Sequence, residues 1–367
     1  MLIYILALPI LIILSFKQKY KVSLPARFFL SSNSSFEKSG IWFHACSLGE
    51  VNSLKPVFNK LEDETINLSV ITGTGYSSAK EIPSLHVRFL PYEMFLPFWI
   101  KKQKTLVVTE AELWPLLFIV SKLKGTKTVL INARVSDNSY KSYQKFGWFY
   151  RWIFASIDEV FAQTKVDKQR LEELGARNVQ VNGNIKTFSK PIVTKEYKKP
   201  KKKVIIIASS HDGEEQMILE NINLTDDDML VVVPRHPERF ASVDKILQMY
   251  TQERALSYSK IENGLNSDVV LCDKMGELIN LYAISDVVLL CGSFKDGIGG
   301  HNPLEPAFFG TKIVSGEYFF NQKPLFNLVE NIEVCSIDEL KNINFEDIKA
   351  SKVLHVGDIN TLIDRIT

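Results

Sequence analysis

Short apolar segments that alternate with helical patterns are the feature that most constrains this chain. Each segment is apolar at consecutive positions, which is typical of strands that helices cover on both faces of a parallel sheet. The first half contains six of them: Ile41–Ala45, Leu68–Thr72, His86–Leu90, Thr105–Thr109, Thr128–Ile131 and Glu159–Ala162. The second half contains four: Val204–Ala208, Leu230–Val233, Val269–Leu271 and Val287–Cys291. The pattern predicts an α/β protein with two sheets, each covered by helices.

The length of 367 residues suits two domains of ordinary size. The stretch Ser189–Lys203 contains two prolines and a lysine cluster with little periodicity, which predicts an interdomain linker. We therefore expect an anchor segment at residues 1–22, an N-terminal domain at 23–190, a linker at 191–203 and a C-terminal domain at 204–367. The last helix of the chain can cross back to the N-terminal domain.

The N-terminal segment from Leu2 to Phe16 is almost wholly apolar. The basic residues that follow it are Lys17, Lys19, Lys21 and Arg27. A secretory signal has its charge before the apolar run, so export is not indicated. The segment is short for a membrane span, which needs roughly 17–25 residues. It is either a tilted or interfacial anchor or a buried core helix, and we favour the anchor because core helices rarely lack polar positions. The basic flank then predicts that the rest of the chain is cytoplasmic.

Charge and cysteine usage argue against several classes of function. The net charge of +2, and a lysine cluster at Lys198–Lys203 without interleaved aromatics, argue against nucleic-acid binding. The four cysteines are scattered without a CxxC pair, which indicates reduced core residues in a cytosolic compartment. Asp226–Asp228 precedes a strand and predicts a turn. The sequence has no HExxH motif or Cys/His cluster, so we expect no metal site.

A glycine-rich loop, Gly292–Gly300, joins the last apolar segment to a helix whose cap is predicted at Asn302, with Pro303 in its first position. Backbone N–H groups and the helix dipole favour an anion there. Glu305, in the first turn, can accept hydrogen bonds from a ribose. The alternative is a tight turn without a ligand, and a glycine loop by itself leaves both interpretations open.

Polar residues follow the apolar segments at the carboxyl ends of the strands, where ligands bind in parallel sheets. Glu50 lies near the start of the helix after the first segment, either as a partner of the helix dipole or as a general base. Glu110 and Glu112 follow the fourth segment, and at least one should face a cleft. Arg134 follows the fifth segment and either joins this site or forms an ion pair with one of those glutamates. Lys186 ends a short strand and lies at the predicted domain cleft, unless it is simply solvated.

The second domain repeats this arrangement with Arg235, the Gly276 turn and the glycine loop after three of its strands. Together these strand ends predict a site for a nucleotide mono- or diphosphate sugar. No P-loop is present and no G-x-G-x-x-G follows the first strand, which argues against a P-loop NTPase and a nicotinamide enzyme. The aromatic and basic stretch Tyr140–Phe154 is either core on one face or a path for an amphiphilic anionic substrate.

Seven motifs resemble, in order, those of the Kdo transferases, which add 3-deoxy-D-manno-octulosonic acid (Kdo) to lipid A precursors. They are His44–Glu50, Thr109–Pro115, Asn132–Ser136, Gly183–Lys186, Pro234–Phe240, Met275–Leu278 and Gly299–Glu305. The resemblance runs from the N-terminal anchor to about Phe320. It implies a GT-B glycosyltransferase fold, with two Rossmann-like domains that face each other across a cleft, and metal-independent, inverting transfer without a cofactor. The chain departs from the family pattern at Cys46, where a small aliphatic residue or serine is more usual.

The resemblance also implies roles for individual residues. By position, Glu50 is similar to the catalytic base, and Glu110 and Lys186 to the transition-state stabilisers. The residues that match the family's CMP contacts are Pro234, Arg235, Met275, Gly276, Glu277, Asn302, Pro303, Leu304 and Glu305. The implied reaction moves Kdo from CMP-Kdo to lipid IVA, a lipid A precursor, in lipopolysaccharide inner-core biosynthesis. The implied location is the cytoplasmic side of the inner membrane, at the membrane surface.

Two other functions stay open at this point. Another GT-B enzyme that uses a UDP-sugar, either a glycosyltransferase or an epimerase, would share the fold, and competition by CMP distinguishes it. A two-domain binding protein held at a membrane would normally be exported, which the basic flank after the apolar segment opposes. Such a protein would also have no need for two glutamates at one cleft.

Overall fold

The computed structural model describes residues 2–17, 20–188 and 190–367, with only the backbone described for residues 2–6 and 138. Lys19 of the predicted basic flank and Ser189, the first residue of the predicted linker stretch, lie outside the described residues. The chain divides into two compact units, Met1–Ser189 with His355–Thr367 and Lys190–Leu354. Residues 191–203, predicted as a separate linker, thus form part of the second unit. The last 13 residues, predicted within the C-terminal domain but with a last helix that can cross back, belong to the first.

The first unit is built on a seven-stranded, wholly parallel sheet in the order β3-β2-β1-β4-β5-β6-β7. Its strands are β1 Ile41–Ala45, β2 Ile66–Val70, β3 Leu85–Phe89, β4 Thr105–Thr109, β5 Lys127–Ala133, β6 Glu159–Ala162 and β7 Val179–Val181. Its helices up to β7 are α1 Leu2–Ser15, α2 Ser23–Phe28, α3 Leu48–Asn59, α4 Gly73–Lys80, α5 Leu96–Trp99, α6 Pro115–Leu123, α7 Asp137–Lys145, α8 Gly147–Phe154 and α9 Lys165–Glu173. All six strands predicted in this half are confirmed, with shifts of up to two residues at their ends.

The two faces of this sheet explain why its strands are apolar at consecutive positions. In β1, Ile41 and Phe43 pack into one core cluster, while Trp42 packs into another. Every residue of β1, β2 and β4 is buried. The polar members of these strands must therefore find partners inside the fold, as the Trp42 indole does by donating to Ser69 Oγ at 2.9 Å.

The second unit repeats the architecture with a parallel sheet in the order β10-β11-β9-β8-β12-β13-β15. Its strands are β8 Lys203–Ser210, β9 Asp228–Pro234, β10 Tyr258–Lys260, β11 Val269–Leu271, β12 Val287–Leu290, β13 Lys312–Ser315, β14 Val329–Glu330, β15 Ile332–Val334 and β16 Lys352–Val353, where β14 and β16 form a separate antiparallel pair. Its helices are α10 Glu214–Asn221, α11 Phe240–Arg254, α12 Leu278–Tyr282, α13 Leu304–Ala307 and α14 Lys323–Phe326. The four predicted strands are confirmed, and Asp226 and Asp227 form the predicted turn before β9.

The C-terminal helix, α15 Ile359–Ile366, completes the first unit. Leu362 and Ile366 are fully buried in the same core cluster as Ile41 and Phe43. Asp358 caps the helix by accepting a 2.9 Å hydrogen bond from the backbone N–H of Asn360. The apolar face of this short helix thus explains why the chain returns to the unit where it began.

The N-terminal apolar segment forms α1, a helix of 14 residues. Its described side chains do not fit a buried core helix, since Ile10 is 61% exposed and Ile13 is 66% exposed. None of the helices that the structure describes is both long and apolar enough to cross a membrane. Arg27, predicted as part of a basic flank, instead folds against the first unit, where its Nε donates to the Leu90 carbonyl at 2.9 Å.

The aromatic stretch Tyr140–Phe154 forms α7 and α8 and divides into two groups. Ile153 and Phe154 are buried in the core cluster that contains Trp42. Phe146, Trp148 and Trp152 are more than half exposed. One face of the stretch is therefore core, as one interpretation predicted, while the other presents aromatic side chains to solvent.

Candidate functional site

The glutamates predicted from the first half lie at the point where the strand order of the first sheet reverses. Strands β1 and β4 are adjacent and parallel, and the chain leaves them in opposite directions across the sheet. Glu50 follows β1 and Glu110 follows β4, so both lie at the same carboxyl edge. In open α/β sheets the crevice at such a reversal is where ligands bind.

Three hydrogen bonds hold the Glu50 carboxylate. Its Oε2 accepts from the Cys46 backbone N–H at 2.9 Å and from the Thr109 hydroxyl at 2.7 Å. Its Oε1 accepts from the Ser47 hydroxyl at 2.8 Å, and Ser47 is also the N-cap of α3. An ionised carboxylate only accepts, so it satisfies all three donors at once. Glu50 thus lies in the first turn of α3 beside the N-cap, where the helix-dipole interpretation placed it, and its half-buried side chain is fixed at the sheet edge.

Glu110 has an unusual backbone conformation for a residue with a side chain. Its φ is +57°, and its N–H donates to the Ile131 carbonyl at 2.8 Å. Left-handed backbone of this kind is uncommon outside glycine and clusters at functional sites. Burial raises the pKa of the Glu110 carboxyl above its ordinary value, and the positive charge of Lys186 opposes that rise. Lys186 is therefore near Glu110, which brings two of the predicted site residues together.

A polar network behind these two residues fixes the turn that holds Lys186. Asn132, which follows Ile131 at the end of β5, has a φ of +54° and accepts a 3.1 Å hydrogen bond from the Ile185 N–H through Oδ1. Asn184 accepts from the Lys186 N–H at 3.0 Å and donates to Gln163 at 3.0 Å. Lys186 thus lies on a short 3-10 turn, Ile185–Thr187, that hydrogen bonds tie to the neighbouring strand.

Arg134 and Glu112 differ in how far they join this site. No ion pair within 4.0 Å involves Arg134 among the described residues, so the predicted salt bridge to Glu110 or Glu112 is not formed, although the charge of Arg134 lowers the pKa of Glu110. The side chain of Arg134 is exposed. Glu112 instead accepts a 2.9 Å hydrogen bond from the Trp114 indole and contacts the Cys46 thiol.

In the second unit the strand order reverses between β8 and β12, and the glycine loop follows β12. Glu214, fully buried at the start of α10, accepts from the N–H groups of Gly292 at 2.9 Å and Phe294 at 3.1 Å. The N–H of Gly300 donates to the Gly292 carbonyl at 2.7 Å, which closes the loop. Gly300 has a φ of +87°, and a Cβ there would lie 2.9 Å from Phe319 Cβ. These contacts hold the loop in one conformation, and only glycine fits at position 300.

Two histidines and Arg235 lie around this reversal. His211, after β8, and His301, at the end of the glycine loop, have stacked rings with their Nε2 atoms 2.9 Å apart. Burial, together with the charges of His211 and Arg235, lowers the pKa of His301 to about 4. Arg235 is exposed after β9, and its charge also lowers the pKa of Glu305, which burial raises. The positive charge of Arg235 therefore acts on residues of the glycine loop and of the helix after it, which the sequence predicted to lie nearby.

The helix after the glycine loop starts slightly later than predicted. The helix α13 begins at Leu304, with Pro303 before it. Asn302 still caps it, because Asn302 Oδ1 accepts from the Leu304 N–H at 3.0 Å, while its Nδ2 donates to Glu305 at 3.2 Å. Leu304 and Pro303 are buried, so neither side chain is free to meet a ligand.

The remaining predicted contacts lie after β9 and β11. Pro234 is the buried last residue of β9. Met275 and Gly276 are exposed after β11, and Gly276 has a φ of +85°. Burial would raise the pKa of Glu277, but hydrogen bonds from Asn280 and Tyr197 lower it overall. All the residues predicted to contact CMP thus lie at the end of a strand, or after one, in the second unit.

Two residues that shape these sites were not singled out from the sequence as functional. Thr109 was noted only as the end of a strand and the first residue of a motif, and Glu214 was given no role. Thr109 lies 59 positions from Glu50 and Glu214 lies 78 positions from Gly292. Their roles depend on strand pairing, which no local pattern reveals. For Thr109 the one available signal was its position at the end of an apolar segment, and for Glu214 it was the start of the helix after one.

Comparisons with known proteins agree on one family. The profile of the family described as "3-Deoxy-D-manno-octulosonic-acid transferase (kdotransferase)" matches residues 22–189. The 3-deoxy-D-manno-octulosonic acid transferase of Haemophilus influenzae is 31% identical over 345 residues, which cover 86% of this chain and 79% of that protein. The bifunctional glycosyltransferase/methyltransferase of Fusobacterium nucleatum is 31% identical over 363 residues, covering 89% of this chain and 56% of that protein. The chain thus spans little more than half of the Fusobacterium protein.

Among solved structures, the C-terminal CMP-Kdo binding domain of WaaA from Acinetobacter baumannii is 32% identical. That match covers 39% of this chain and 78% of the domain, with a TM-score of 0.34. The UDP-GlcNAc 2-epimerase of Neisseria meningitidis is 13% identical, and the match covers 89% of this chain and 98% of the epimerase, with a TM-score of 0.49.

Proposed function

The chain belongs to the 3-deoxy-D-manno-octulosonic acid transferase family, and we propose that it transfers Kdo from CMP-Kdo to lipid IVA in lipopolysaccharide biosynthesis. The observation that supports this most is the Glu50 carboxylate at the reversal between β1 and β4. Three donors fix it there, and Glu110 and Lys186 lie nearby. A carboxylate at such an edge suits a general base that activates a hydroxyl nucleophile.

In the proposed reaction, Glu50 takes the proton from an acceptor hydroxyl as its oxygen bonds to the anomeric carbon of Kdo. The bond from that carbon to the CMP phosphate breaks, and CMP leaves from the opposite face, so the configuration inverts. Lys186 opposes the negative charge that grows on the leaving phosphate, and Glu110 faces the positive charge that develops on the sugar. No metal takes part in these steps.

The proposed donor site is the carboxyl edge of the second sheet. Arg235 supplies a positive charge whose influence reaches both His301 and Glu305. The glycine loop, fixed by Glu214, and the exposed Gly276 turn offer backbone close to a ligand. We assign the CMP contacts to the predicted set. Because Pro303 and Leu304 are buried, they act through the backbone that they shape.

We further propose that the chain works at the cytoplasmic face of the inner membrane, where an acylated acceptor is found. Helix α1 presents Ile10 and Ile13 to solvent, Phe16 directly after it is also exposed, and α8 presents Trp148 and Trp152. Exposed aliphatic and aromatic side chains of this kind favour the interface between water and lipid. In this proposal α1 anchors the chain and α8 lies towards the acyl chains of the acceptor.

Donor choice separates this function from a GT-B enzyme that uses a UDP-sugar. We expect CMP to bind the full-length protein and to compete with CMP-Kdo, while UDP does not. An Arg235→Ala variant should weaken CMP binding at least about tenfold, since a charge-assisted hydrogen bond contributes about 1.5–3 kcal/mol. Tighter binding of UDP than of CMP would refute the donor assignment.

A further inference from the structure

A cluster of three side chains of different chemistry lies beside Glu50. His44 is in β1, Cys46 follows that strand, and Glu112 follows β4. One ligand-type atom from each, an imidazole nitrogen, a sulfur and a carboxylate oxygen, lies within 4.8 Å of the other two. The proposed transfer gives none of the three a role. The sequence predicted no metal site, because the cluster forms only when β1 and β4 pair.

The imidazole of His44 presents Nε2 to the cluster. Its Nδ1 lies 3.0 Å from the carbonyl oxygen and 2.9 Å from the hydroxyl oxygen of Ser69, and the tautomer with the proton on Nδ1 donates to that carbonyl. The lone pair of the neutral ring is then on Nε2. A backbone carbonyl that accepts from the second ring nitrogen is the usual outer partner of a metal-binding histidine. His44 is fully buried.

The sulfur of Cys46 lies at the spacing that a shared metal ion requires. The distance between Cys46 Sγ and His44 Nε2 is 3.6 Å. Zinc–sulfur bonds of about 2.3 Å and zinc–nitrogen bonds of about 2.0–2.1 Å at a tetrahedral angle place the two ligand atoms about 3.6 Å apart. Glu112 contacts the thiol from another side, and the Trp114 indole fixes its Oε2 at 2.9 Å. All three ligands are thus held in place before any ion binds.

Two carboxylates lie around the Cys46 sulfur. Glu112 is one of the three clustered residues, and Glu50 accepts from the Cys46 N–H at 2.9 Å through Oε2. Their negative charges favour a cation at this position over an anion. Cys46 and Glu112 are only half-buried, which leaves a route of entry.

We propose that His44, Cys46 and Glu112 form a three-ligand site for Zn²⁺, with the fourth tetrahedral position left to water. A thiolate, an imidazole and a carboxylate with one open position suit zinc. As the Zn–S bond forms, the S–H bond breaks and its proton goes to solvent. The site is independent of the proposed transfer, in which the ion takes no step. It lies one hydrogen bond from Glu50, through the Cys46 N–H.

Cobalt substitution tests the site directly in the reduced, metal-stripped full-length protein. We expect one equivalent of Co²⁺ to give a sulfur-to-cobalt charge-transfer band and the visible bands of tetrahedral cobalt, and Zn²⁺ to displace it. Cys46→Ser should remove the charge-transfer band. It should also weaken Zn²⁺ binding by more than about 100-fold, since loss of an outer partner alone costs roughly 10–100-fold.

Two further variants keep the result interpretable. Cys272→Ser changes a buried free thiol in the second unit and should leave both readouts unchanged. Glu112→Gln should weaken Zn²⁺ binding but retain the sulfur band, which tests the site even if Cys46→Ser folds poorly. If wild-type protein gave no charge-transfer band, or if the band persisted in folded Cys46→Ser protein, the contacts would be ordinary thiol hydrogen bonds and the proposal would be wrong.

Discussion

Replacing Glu50 by glutamine separates its proposed role as a base from its role as a cap of α3. The glutamine carbonyl oxygen can take the place of Oε2 and accept from Cys46 N–H and Thr109 Oγ1, which lie at 2.9 and 2.7 Å. The amide NH₂ then takes the place of Oε1, which lies 2.8 Å from the Ser47 hydroxyl in the wild-type protein. That hydroxyl can rotate and accept a hydrogen bond from the NH₂ group. All three contacts persist, so the unfolding free energy should change by no more than about 1 kcal/mol.

The effect on catalysis should be far larger. Glutamine cannot take a proton from the acceptor hydroxyl, and a general base contributes typically about 10²–10⁴-fold. We therefore expect kcat to fall by that factor, which corresponds to about 3–5 kcal/mol of barrier. The assay is single-turnover transfer from CMP-Kdo, run beside a thermal melt of each protein.

Thr109→Val is the matched control, because it removes one donor but keeps the carboxylate. The Thr109 hydroxyl has one proton, and its 2.7 Å contact with Glu50 is shorter than its 3.2 Å contact with the His44 carbonyl. Losing a hydrogen bond to a charged group costs about 1.5–3 kcal/mol, so this variant should lose more stability than Glu50→Gln but less activity. Folded Glu50→Gln protein with turnover within about tenfold of wild type would refute the base assignment.

Three other perturbations follow from the structure. Lys186→Met removes a charge that lowers the pKa of Glu110, and the pKa of Glu110 should therefore rise further. NMR of the labelled carboxyl measures this pKa, and an unchanged value would contradict the proximity of the two residues. Gly300→Ala should lower the unfolding free energy by about 1–3 kcal/mol more than Gly297→Ala. Both glycines have a positive φ, but only at Gly300 would the added Cβ lie within 3.0 Å of Phe319. His44 has a folded pKa of about 3 and an ordinary value of 6.5, so between those pH values the unfolded chain binds more protons and stability falls as the pH falls. The loss of unfolding free energy over this range, at about 1.4 kcal/mol per pH unit, is about 5 kcal/mol. A His44→Gln variant should therefore show a shallower pH dependence of stability than wild type in thermal melts from pH 7 to 4.

The sequence predicts the strands well because each is buried on both faces. In β1 every residue is buried, so the apolar pattern is continuous and hard to mistake. The positions of Glu50, Glu110 and Arg235 were predictable for a related reason, since ligands meet a parallel sheet at the residues that follow its strands.

Contacts between distant parts of the chain could not be predicted in this way. The hydrogen bond from Thr109 to Glu50 exists only because β1 pairs with β4. The hydrogen bonds from the glycine loop to Glu214 form only because β8 pairs with β12. The return of α15 to the first unit, which was expected only as one option, depends on two buried side chains, Leu362 and Ile366.

The most direct test of the central claim is the mass of the product. Purified full-length protein is incubated with CMP-Kdo and a tetra-acylated lipid A precursor, and the lipid is analysed by mass spectrometry, with a UDP-sugar as the parallel donor. We expect the acceptor to gain the mass of one or more Kdo units as CMP is released, and we expect no product with the UDP-sugar. An unchanged acceptor with CMP-Kdo, together with product from the UDP-sugar, would contradict this expectation.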